Sequence, residues 1–318
     1  MELHTGNIFW NLLLFAGGFL LLIKGSDLFV ETAAKTARRY HVSELTIGLT
    51  LVSFGTALPE FAAALCAALQ QEGDFVLGNV VGSVTSNILL VLGAGIALGG
   101  GMRYTPRLFR SDGAILAASL VLICVLALIS GKLHWPSALV LLACGIANFY
   151  RFFHQTNLPD ESDGGSAAAN LFLAFLQLAG SFLMIAAGSK MMVDNAVWGA
   201  EQMGISPLVI SATIVGFGSA LPELAVTITG VLKRHHSLAV GNIIGSCIFN
   251  VLMILGCCSL ITPLPAAGWD CRINLFFMAA SGFLLWTMLG LCRGRLRRSC
   301  GILFLLIYLG FWLVNFLG

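Results

Sequence analysis

The chain has 318 residues, of which 58% are hydrophobic and only 10% are charged. Soluble domains contain about 45–50% apolar and about 25% charged residues, so this composition excludes an ordinary water-soluble protein. A helix needs about 20 apolar residues to cross a bilayer. We therefore predict an all-α integral membrane protein.

Ten apolar segments of this length can be placed along the chain between clusters of charged and turn residues. We expect each of them to form a transmembrane helix. The segments cover residues 8–30, 44–69, 75–99, 111–130, 134–152, 168–199, 206–232, 237–261, 272–292 and 300–317.

The second segment contains Phe54-Gly-Thr-Ala-Leu-Pro-Glu60, which places a carboxylate directly after a proline in an apolar stretch. Pro59 cannot donate a backbone hydrogen bond and Gly55 lowers the cost of unwinding, so we predict a broken helix. The break would free backbone carbonyls near Ser53 as oxygen ligands, since irregular backbone at this depth must face protein or a wet cavity. A simple proline kink for packing is the alternative.

The third segment carries Ser83 and Asn87, which are four residues apart and therefore lie on one helix face. Their hydroxyl and amide oxygens are hard ligands for cations, although such side chains also form hydrogen bonds that hold helices together. The spacing of Gly78 and Gly82 on the same helix predicts close helix packing.

The second half of the chain repeats the first at an offset of 163 residues. The motif that ends at Glu60 recurs as Phe217-Gly-Ser-Ala-Leu-Pro-Glu223, and the residues of the third segment recur as Gly241, Gly245, Ser246 and Asn250. Between Ile47 and Gly93, 19 of 47 positions are identical to their partners. Such similarity indicates an internal duplication.

A polar run over residues 154–166 falls between the two copies and is predicted to be a linker, which gives domains at 1–153 and 167–318. Each domain contains five predicted helices, and an odd number inserts the second copy upside down. Inverted repeats of this kind recur in secondary transporters, with the substrate bound near the midplane. We therefore predict ten transmembrane helices as two inverted five-helix repeats, with helices 2 and 7 broken.

Glu60 and Glu223 are expected to meet near the midplane. Each lies about ten residues, or about 15 Å, from the end of its helix, which is half of the hydrocarbon core. A carboxylate at this depth costs about 2.5 kcal/mol or more, and these helices carry no basic residue to neutralise it. A cation site is the favoured interpretation, and stabilisation of both acids by the dipole of a restarted half-helix is the alternative.

The predicted cation site is built from oxygen atoms alone, which suits Ca²⁺ or Na⁺. Its side chains are Glu60, Glu223, Thr56, Ser219, Ser83, Ser246, Asn87 and Asn250, and its backbone carbonyls are those near Ser53 and Gly216.

Thirteen of the 17 Lys and Arg fall in one set of alternate loops, and only Lys132 and Arg272 fall in the opposite set. The positive-inside rule then places the linker in the cytoplasm and both termini outside it. The basic clusters are thus topology signals, and no nucleic-acid partner is predicted. The nine cysteines show no paired metal-ligand spacing and are predicted to be small core residues.

The repeated motifs resemble those of the calcium/cation antiporter superfamily, whose repeats contain Gly-[Ser/Thr]-[Ser/Ala]-x-Pro-Glu followed by Gly-Asn-x-x-Gly-Ser-x-x-x-[Asn/Asp]. Over essentially its whole length the chain is most similar to the bacterial inner-membrane proteins of the sodium/calcium exchanger family. The resemblance implies that Glu60 and Glu223 bind Ca²⁺, with backbone ligands at Ser53 and Gly216. It also implies flanking or shared Na⁺ sites formed by Thr56, Ser219, Ser83, Ser246, Asn87 and Asn250.

The chain departs from the family pattern at three of these positions. Well-described exchangers often carry Asp in place of Asn250, and Ser in place of Ala57 and Ala220. The predicted site therefore has two carboxylates and fewer hydroxyls, and the number of coupled Na⁺ ions stays open.

We predict a secondary antiporter of the inner membrane that exchanges Ca²⁺ for Na⁺ by alternating access, without enzymatic activity or a cofactor. Its partners would be inorganic cations and the lipid bilayer. Exchange of H⁺ for Ca²⁺, or transport of another divalent ion through the same residues, is the nearest alternative. An intramembrane hydrolase is disfavoured because the chain lacks His-Glu-x-x-His, Gly-x-Ser-x-Gly and Gly-x-Gly-Asp, and a passive channel because inverted broken-helix repeats favour a transporter.

Overall fold

The structure of the protein is a computed structural model in which almost all of the chain can be described. The described residues are 7–39, 42–105, 108–155, 164–204, 216–292 and 294–317. Within them the chain is helical apart from short connections and four very short strands.

The helices follow one another through both halves of the chain. In chain order they are α1 (Ile8–Arg39), α2 (Glu44–Leu69), α3 (Gly73–Leu98), α4 (Leu108–Ser130), α5 (Trp135–Gln155), α6 (Gly164–Gln202), α7 (Gly216–Ser219), α8 (Leu221–Leu232), α9 (His236–Ile261), α10 (Trp269–Leu291) and α11 (Arg298–Leu317).

Two antiparallel strand pairs connect the first half of the chain to the second. β1 (Gly101–Arg103) pairs with β4 (Arg295–Arg297), and β2 (Lys132–Leu133) pairs with β3 (Leu264–Pro265). Each pair joins loops that are far apart in sequence and gives their backbone groups hydrogen-bond partners. The two halves are therefore tied together at their loops as well as through their helices.

Eight helices in the described chain are long and apolar enough to cross a membrane, namely α1, α2, α3, α4, α6, α9, α10 and α11. The fifth predicted segment corresponds to α5, which has 21 residues but does not belong to this group. The seventh corresponds to the short helices α7 and α8, and residues 206–215 of it lie outside the described residues. An all-helical membrane protein is thus confirmed, whereas the described residues contain eight apolar spans, so the predicted ten are not confirmed.

Helices α3 and α9 form the centre of the molecule. In their most apolar windows 72% and 78% of the residues are buried, whereas the corresponding fraction is at most 39% in the other six spans. The surrounding helices expose large hydrophobic side chains such as Leu128, Ile129 and Phe172, as expected for helices that face lipid. Polar side chains on α3 and α9 are therefore shielded from the bilayer.

Helix α9 contacts α2 backbone to backbone. A Cβ added to Gly241 would lie 2.7 Å from the Leu45 carbonyl oxygen, and one added to Gly245 would lie 2.6 Å from that of Leu49. The predicted close-packing role is thus confirmed for this glycine pair. A Cβ added to Gly78 or Gly82 would meet nothing within 4 Å among the described residues. The residues that correspond to Leu45 and Leu49 are 208 and 212, which lie outside the described residues, so the close-packing role of this pair stays a prediction.

The predicted break in helix 2 is wrong, because α2 continues through Pro59. Proline removes one hydrogen bond, but its φ fits a helix, and α9 packs closely against the preceding turns of α2 at Leu49 and Ser53. The irregularity lies earlier, where Gly48–Val52 forms a π-helical turn. In the second half the helix is interrupted, since Ala220 has φ −89° and ψ −2° and α8 starts with Pro222 in its first turn.

Several local features recur at the offset of 163 residues. Helices α3 and α9 have matching ends, and each contains a π-helical turn, Asn87–Val91 in the first and Asn250–Ile254 in the second. Gln71 and Arg234, which precede these helices, both have φ of 66°. The duplicated sequence thus produces duplicated local geometry.

The predicted linker, residues 154–166, falls largely on residues 156–163, which lie outside the described residues. Its last three residues belong to α6, because that helix begins at Gly164.

Candidate functional site

Buried polar side chains gather where α2, α3, α8 and α9 face one another. Asn87 and Asn250 are the first residues of the π-helical turns in α3 and α9, and both are completely buried. Such turns are rare and occur frequently at functional sites, because they disturb the regular hydrogen-bond ladder. The two asparagines therefore mark the centre of the candidate site on the two central helices.

Glu60 of α2 is held by donors from both central helices. The Ser83 hydroxyl donates to Glu60 Oε1 over 2.6 Å, and Asn250 Nδ2 donates to Oε2 over 2.6 Å. Asn250 Nδ2 also lies 3.2 Å from Ser83 Oγ. Short hydrogen bonds to a carboxylate are stronger than those between neutral groups, so this arrangement fixes the Glu60 side chain.

A second cluster surrounds the hydroxyl of Thr56, one turn before Glu60. Thr56 Oγ1 lies 3.2 Å from Asn242 Oδ1 and 3.4 Å from Ser246 Oγ. The Ser246 hydroxyl donates to the backbone carbonyl of Ser53 over 3.4 Å. The structure thus brings the predicted residues Thr56, Ser246 and Ser53 into one buried group.

Glu223 of α8 is completely buried, and neither of its carboxylate oxygens has a hydrogen-bond partner in the described chain. It lies close enough to Glu60 for the two charges to repel each other. The side-chain oxygen and nitrogen of Asn87 likewise have no partner there. Glu223 and Asn87 therefore differ from their repeat partners Glu60 and Asn250, which bond to each other.

The site contains oxygen atoms that are buried yet not engaged within the described chain. Leaving a buried polar group without a partner costs about 1–3 kcal/mol, so each such atom calls for an explanation. Carboxylate, amide and hydroxyl oxygens are the groups that coordinate Ca²⁺ and Na⁺. The unengaged oxygens are Glu223 Oε1 and Oε2, Asn87 Oδ1, Asn250 Oδ1 and Thr227 Oγ1.

Two of the predicted site residues are not in this buried group. The Ser219 side chain is exposed, although its repeat partner Thr56 is buried. Gly216 begins α7, and residues 205–215 before it lie outside the described residues. The interruption at Ala220 separates α7 from α8 and explains why Ser219 does not follow Glu223 into the site.

Asn242 and Thr227 are buried residues of the site that we did not predict from the sequence. Both are completely buried, and Asn242 contacts Thr56. Thr227 lies one turn after Glu223 on α8, at a position that is Ala64 in the first repeat. The Gly-Asn pair recurs in both repeats and could have identified Asn242 from the sequence, whereas no repeated motif includes Thr227.

A cavity of about 210 Å³ reaches this region from the side of the molecule. It lies between α2, α5 and α9, and Thr50, Ser53 and Asn148 contribute polar atoms to a mainly apolar lining. Ser53 also belongs to the buried group around Thr56. The cavity therefore adjoins the candidate site.

The described residues contain no group of three or more His, Cys, Asp or Glu that could hold a metal ion. The candidate site has two carboxylates, and its remaining oxygens come from amides, hydroxyls and backbone carbonyls. Such a set of ligands is better suited to a cation that binds and is released again than to a permanently bound transition metal.

Comparison with known proteins gives consistent matches over nearly the whole chain. The family model described as "Sodium/calcium exchanger protein" matches residues 10–148 and 173–317. The sodium/calcium exchanger MaX1 of Methanosarcina acetivorans is 31% identical over 96% of this chain and 98% of its own length. The putative antiporter CaxA of Alkalimonas amylolytica is 34% identical over 92% of this chain and 95% of its own length.

Solved structures agree with these matches. The sodium–calcium exchanger NCX_Mj soaked with 10 mM Na⁺ and zero Ca²⁺ has a TM-score of 0.85 to this chain, at 26% identity. The likeness covers 98% of this chain and 100% of the other. Together with the apolar helices, the matches show that this multi-pass membrane protein belongs to the sodium/calcium exchanger family, whose members are exchangers and not enzymes.

Proposed function

We propose that the protein exchanges Ca²⁺ for Na⁺ at a site between Glu60 and Glu223. The observation that carries this proposal is that the carboxylates of α2 and α8 are buried. They lie among amide and hydroxyl oxygens, most of which belong to α3 and α9, the most buried helices. A buried carboxylate pair needs compensating positive charge, and none of the described residues that bond to it is basic. One Ca²⁺ or two Na⁺ would supply that charge.

The coordinating residues follow from the contacts. Glu223, Asn87 and Asn250 offer unengaged oxygens, and Glu60 would exchange its hydrogen bonds for the ion. Thr56, Ser83, Ser246 and the Ser53 carbonyl would complete or flank the site. Ser219 and the Gly216 carbonyl are proposed to join only in a conformation in which α7 moves toward α8.

We also propose that the chain forms two inverted five-helix repeats. In this arrangement α5 and the α7–α8 pair cross the membrane as well, which gives ten crossings. The recurrence of the π-helical turns and of the φ values at Gln71 and Arg234 supports a duplicated architecture. Access to the site would alternate between the two membrane faces, as in other transporters with inverted repeats.

The relatives support transport of these ions. MaX1 is named a sodium/calcium exchanger, and structures of NCX_Mj were obtained after soaking with Na⁺ and Ca²⁺ or with Na⁺ and Sr²⁺. YrbG of Escherichia coli, named an inner membrane protein, is 34% identical over 77% of this chain. By analogy we propose an inner-membrane location for this protein.

Exchange of H⁺ for Ca²⁺ is the second candidate. It is favoured by Glu223, whose oxygens accept no hydrogen bond in the described chain and are free to take a proton in place of Na⁺. The same residues would serve both reactions, so the coupling ion has to be measured.

The test is uptake of ⁴⁵Ca²⁺ into proteoliposomes under an imposed gradient of Na⁺, H⁺ or K⁺. We expect an outward Na⁺ gradient to drive uptake and a K⁺ gradient of the same size to have no effect. Uptake driven by H⁺ alone would replace Na⁺ by H⁺ as the coupling ion. Absence of uptake under all three gradients, with protein correctly inserted, would refute calcium exchange.

A further inference from the structure

A large polar cavity lies outside the candidate cation site. Its volume is about 760 Å³, and none of the residues proposed to bind Ca²⁺ or Na⁺ lines it. It is formed by the ends of α3 and α8, the beginnings of α2 and α9, and the loop after β1. Its polar lining residues include Glu44, Arg103, Thr105, Arg234, His236 and Ser237.

The cavity carries an excess of positive charge. Arg103 and Arg234 line it and are exposed, and the side chain of neither makes an ion pair or a hydrogen bond within the described chain. Glu44 is the one carboxylate among the described lining residues, and its Oε1 lies 2.9 Å from His235 Nδ1. Two guanidinium groups are thus left to attract an anion.

Helix α9 adds backbone donors at the same place. It begins at His236, and its N-cap residue His235 provides no side-chain hydrogen bond to the first turn. The first amides of a helix have no intrahelical acceptor and carry the positive end of the helix dipole. Ser237 in this turn lines the cavity, and the buried Nδ1 of His236 has no partner in the described chain.

The corresponding position in the other repeat lacks the two arginines and the histidine. Arg234, His236 and Arg103 correspond to Gln71, Gly73 and Ala266 at the offset of 163 residues. Gly73 is packed so tightly that an added Cβ would lie 2.3 Å from the Pro263 carbonyl oxygen. The charged cavity is therefore not a by-product of the duplication.

The positive charge of the cavity also indicates that the cavity is not the entrance for the transported cations. Two unpaired arginines raise the local potential and repel cations, whereas the entrance of a cation pathway favours acidic groups. The cavity is suited to a ligand of the opposite sign.

We propose that this cavity binds a phosphate group, either the headgroup phosphate of an anionic phospholipid or a free phosphate. Guanidinium groups form paired hydrogen bonds with phosphate oxygens, and helix N-termini bind phosphate through their backbone amides. Thr105 and Ser237 add hydroxyl donors within the cavity. The site is independent of the cation site, and its failure would leave the proposed exchange untouched.

The test uses the full-length protein in detergent with two probes. Binding of inorganic phosphate is measured by titration calorimetry, and retention of phosphatidylglycerol against phosphatidylcholine is counted by native mass spectrometry. The variants are Arg103→Gln and Arg234→Gln, with Lys132→Gln as the control, because Lys132 is an exposed cation at the other strand pair. Size-exclusion profiles show whether each variant is folded.

We expect at least one probe to bind to the wild-type protein, and each arginine variant to weaken that binding by about tenfold, since each loses a charge-assisted contact. Lys132→Gln should bind as the wild type does. Phosphate binding without lipid preference would identify a soluble ligand, and retention of phosphatidylglycerol alone would identify a lipid. The proposal is overturned if neither probe binds, or if the arginine variants bind as well as the control.

Discussion

The two glutamates of the duplicated motif occupy different environments although their flanking sequences are very similar. Glu60 accepts short hydrogen bonds from Ser83 and Asn250, whereas Glu223 accepts none from the described residues. Hydrogen bonds to a buried carboxylate contribute to stability, and a buried carboxylate without them destabilises the fold. The pair therefore combines one ligand that is held by short hydrogen bonds with one whose oxygens accept no such bond from the described residues.

We expect Glu60→Gln and Glu223→Gln each to abolish Ca²⁺ transport, because each removes half of the negative charge that would balance the ion. The two variants should differ in stability in the absence of Ca²⁺ and Na⁺. Glu60→Gln weakens two charge-assisted hydrogen bonds and should lower stability by about 1–3 kcal/mol. Glu223→Gln removes an uncompensated charge and should leave stability unchanged or raise it.

The measurements are ⁴⁵Ca²⁺ uptake in proteoliposomes and thermal unfolding of the purified variants. Exchange at the wild-type rate in either well-folded variant would exclude that glutamate from the site. Equal loss of stability in both variants would contradict the asymmetry of their hydrogen bonds.

At the scale of helices, α1 and α6 cross each other through glycine. A Cβ on Gly18 would lie 2.8 Å from the Gly188 carbonyl oxygen, and one on Gly188 would lie 2.6 Å from that of Gly18. Small residues at such crossings let backbones approach closely, which is the main source of helix association in a membrane. Most of the surface of both helices is exposed, so this contact is one of the main interactions that fix the position of α1.

Gly18→Ala should therefore destabilise the protein by about 1–3 kcal/mol, because the added methyl group collides with backbone that cannot move aside. Gly17→Ala is the matched control on the same helix. Its nearest neighbour would be the flexible end of Met191 at 3.8 Å, so it should be neutral or slightly stabilising. Thermal unfolding of the two variants side by side is the measurement, and equal melting temperatures would show that the crossing is not tight.

At the scale of the whole molecule, the charge of the site determines how transport responds to voltage. Asn250 is neutral, so Glu60 and Glu223 give the proposed site a charge of −2. Exchange of two Na⁺ or two H⁺ for one Ca²⁺ then moves no net charge. A third Na⁺ would add about 2.3 kcal/mol of coupling for every 100 mV of membrane potential.

We expect Ca²⁺ exchange by the wild-type protein to depend little on membrane potential. Asn250→Asp adds a third acid within reach of the ion and should make exchange voltage-dependent through an additional monovalent ion. The rates are measured in proteoliposomes clamped at different potentials with valinomycin and K⁺. A clearly voltage-dependent wild type would require a third coupled ion and end the electroneutral hypothesis.

The basic residues predict how the whole molecule is oriented in the membrane. The excess of Lys and Arg in one set of loops predicts that residues 154–166 are cytoplasmic and that both termini are external. All nine cysteines are free in the structure, so a cysteine-free background is feasible. Single cysteines introduced in the linker and at the C-terminus should be labelled from opposite sides, and labelling of both from one side would refute the predicted orientation.

The sequence by itself determined the membrane class, the duplication and the positions of Glu60, Glu223, Asn87 and Asn250. These properties are local, because hydrophobic length and repeated motifs are read along the chain without reference to neighbours. The burial of both glutamates followed for the same reason, since each lies in the middle of an apolar segment.

Only the tertiary structure decided how each copy of the motif is used. Helix α2 continues through Pro59 and packs closely against α9 in the preceding turns, whereas the chain turns at Ala220 before α8. Asn242 became part of the site through its contact with Thr56, 186 residues away. The two similar motifs form different hydrogen bonds because their partners come from distant helices. The local sequence does not determine which of two equivalent neighbours each motif contacts.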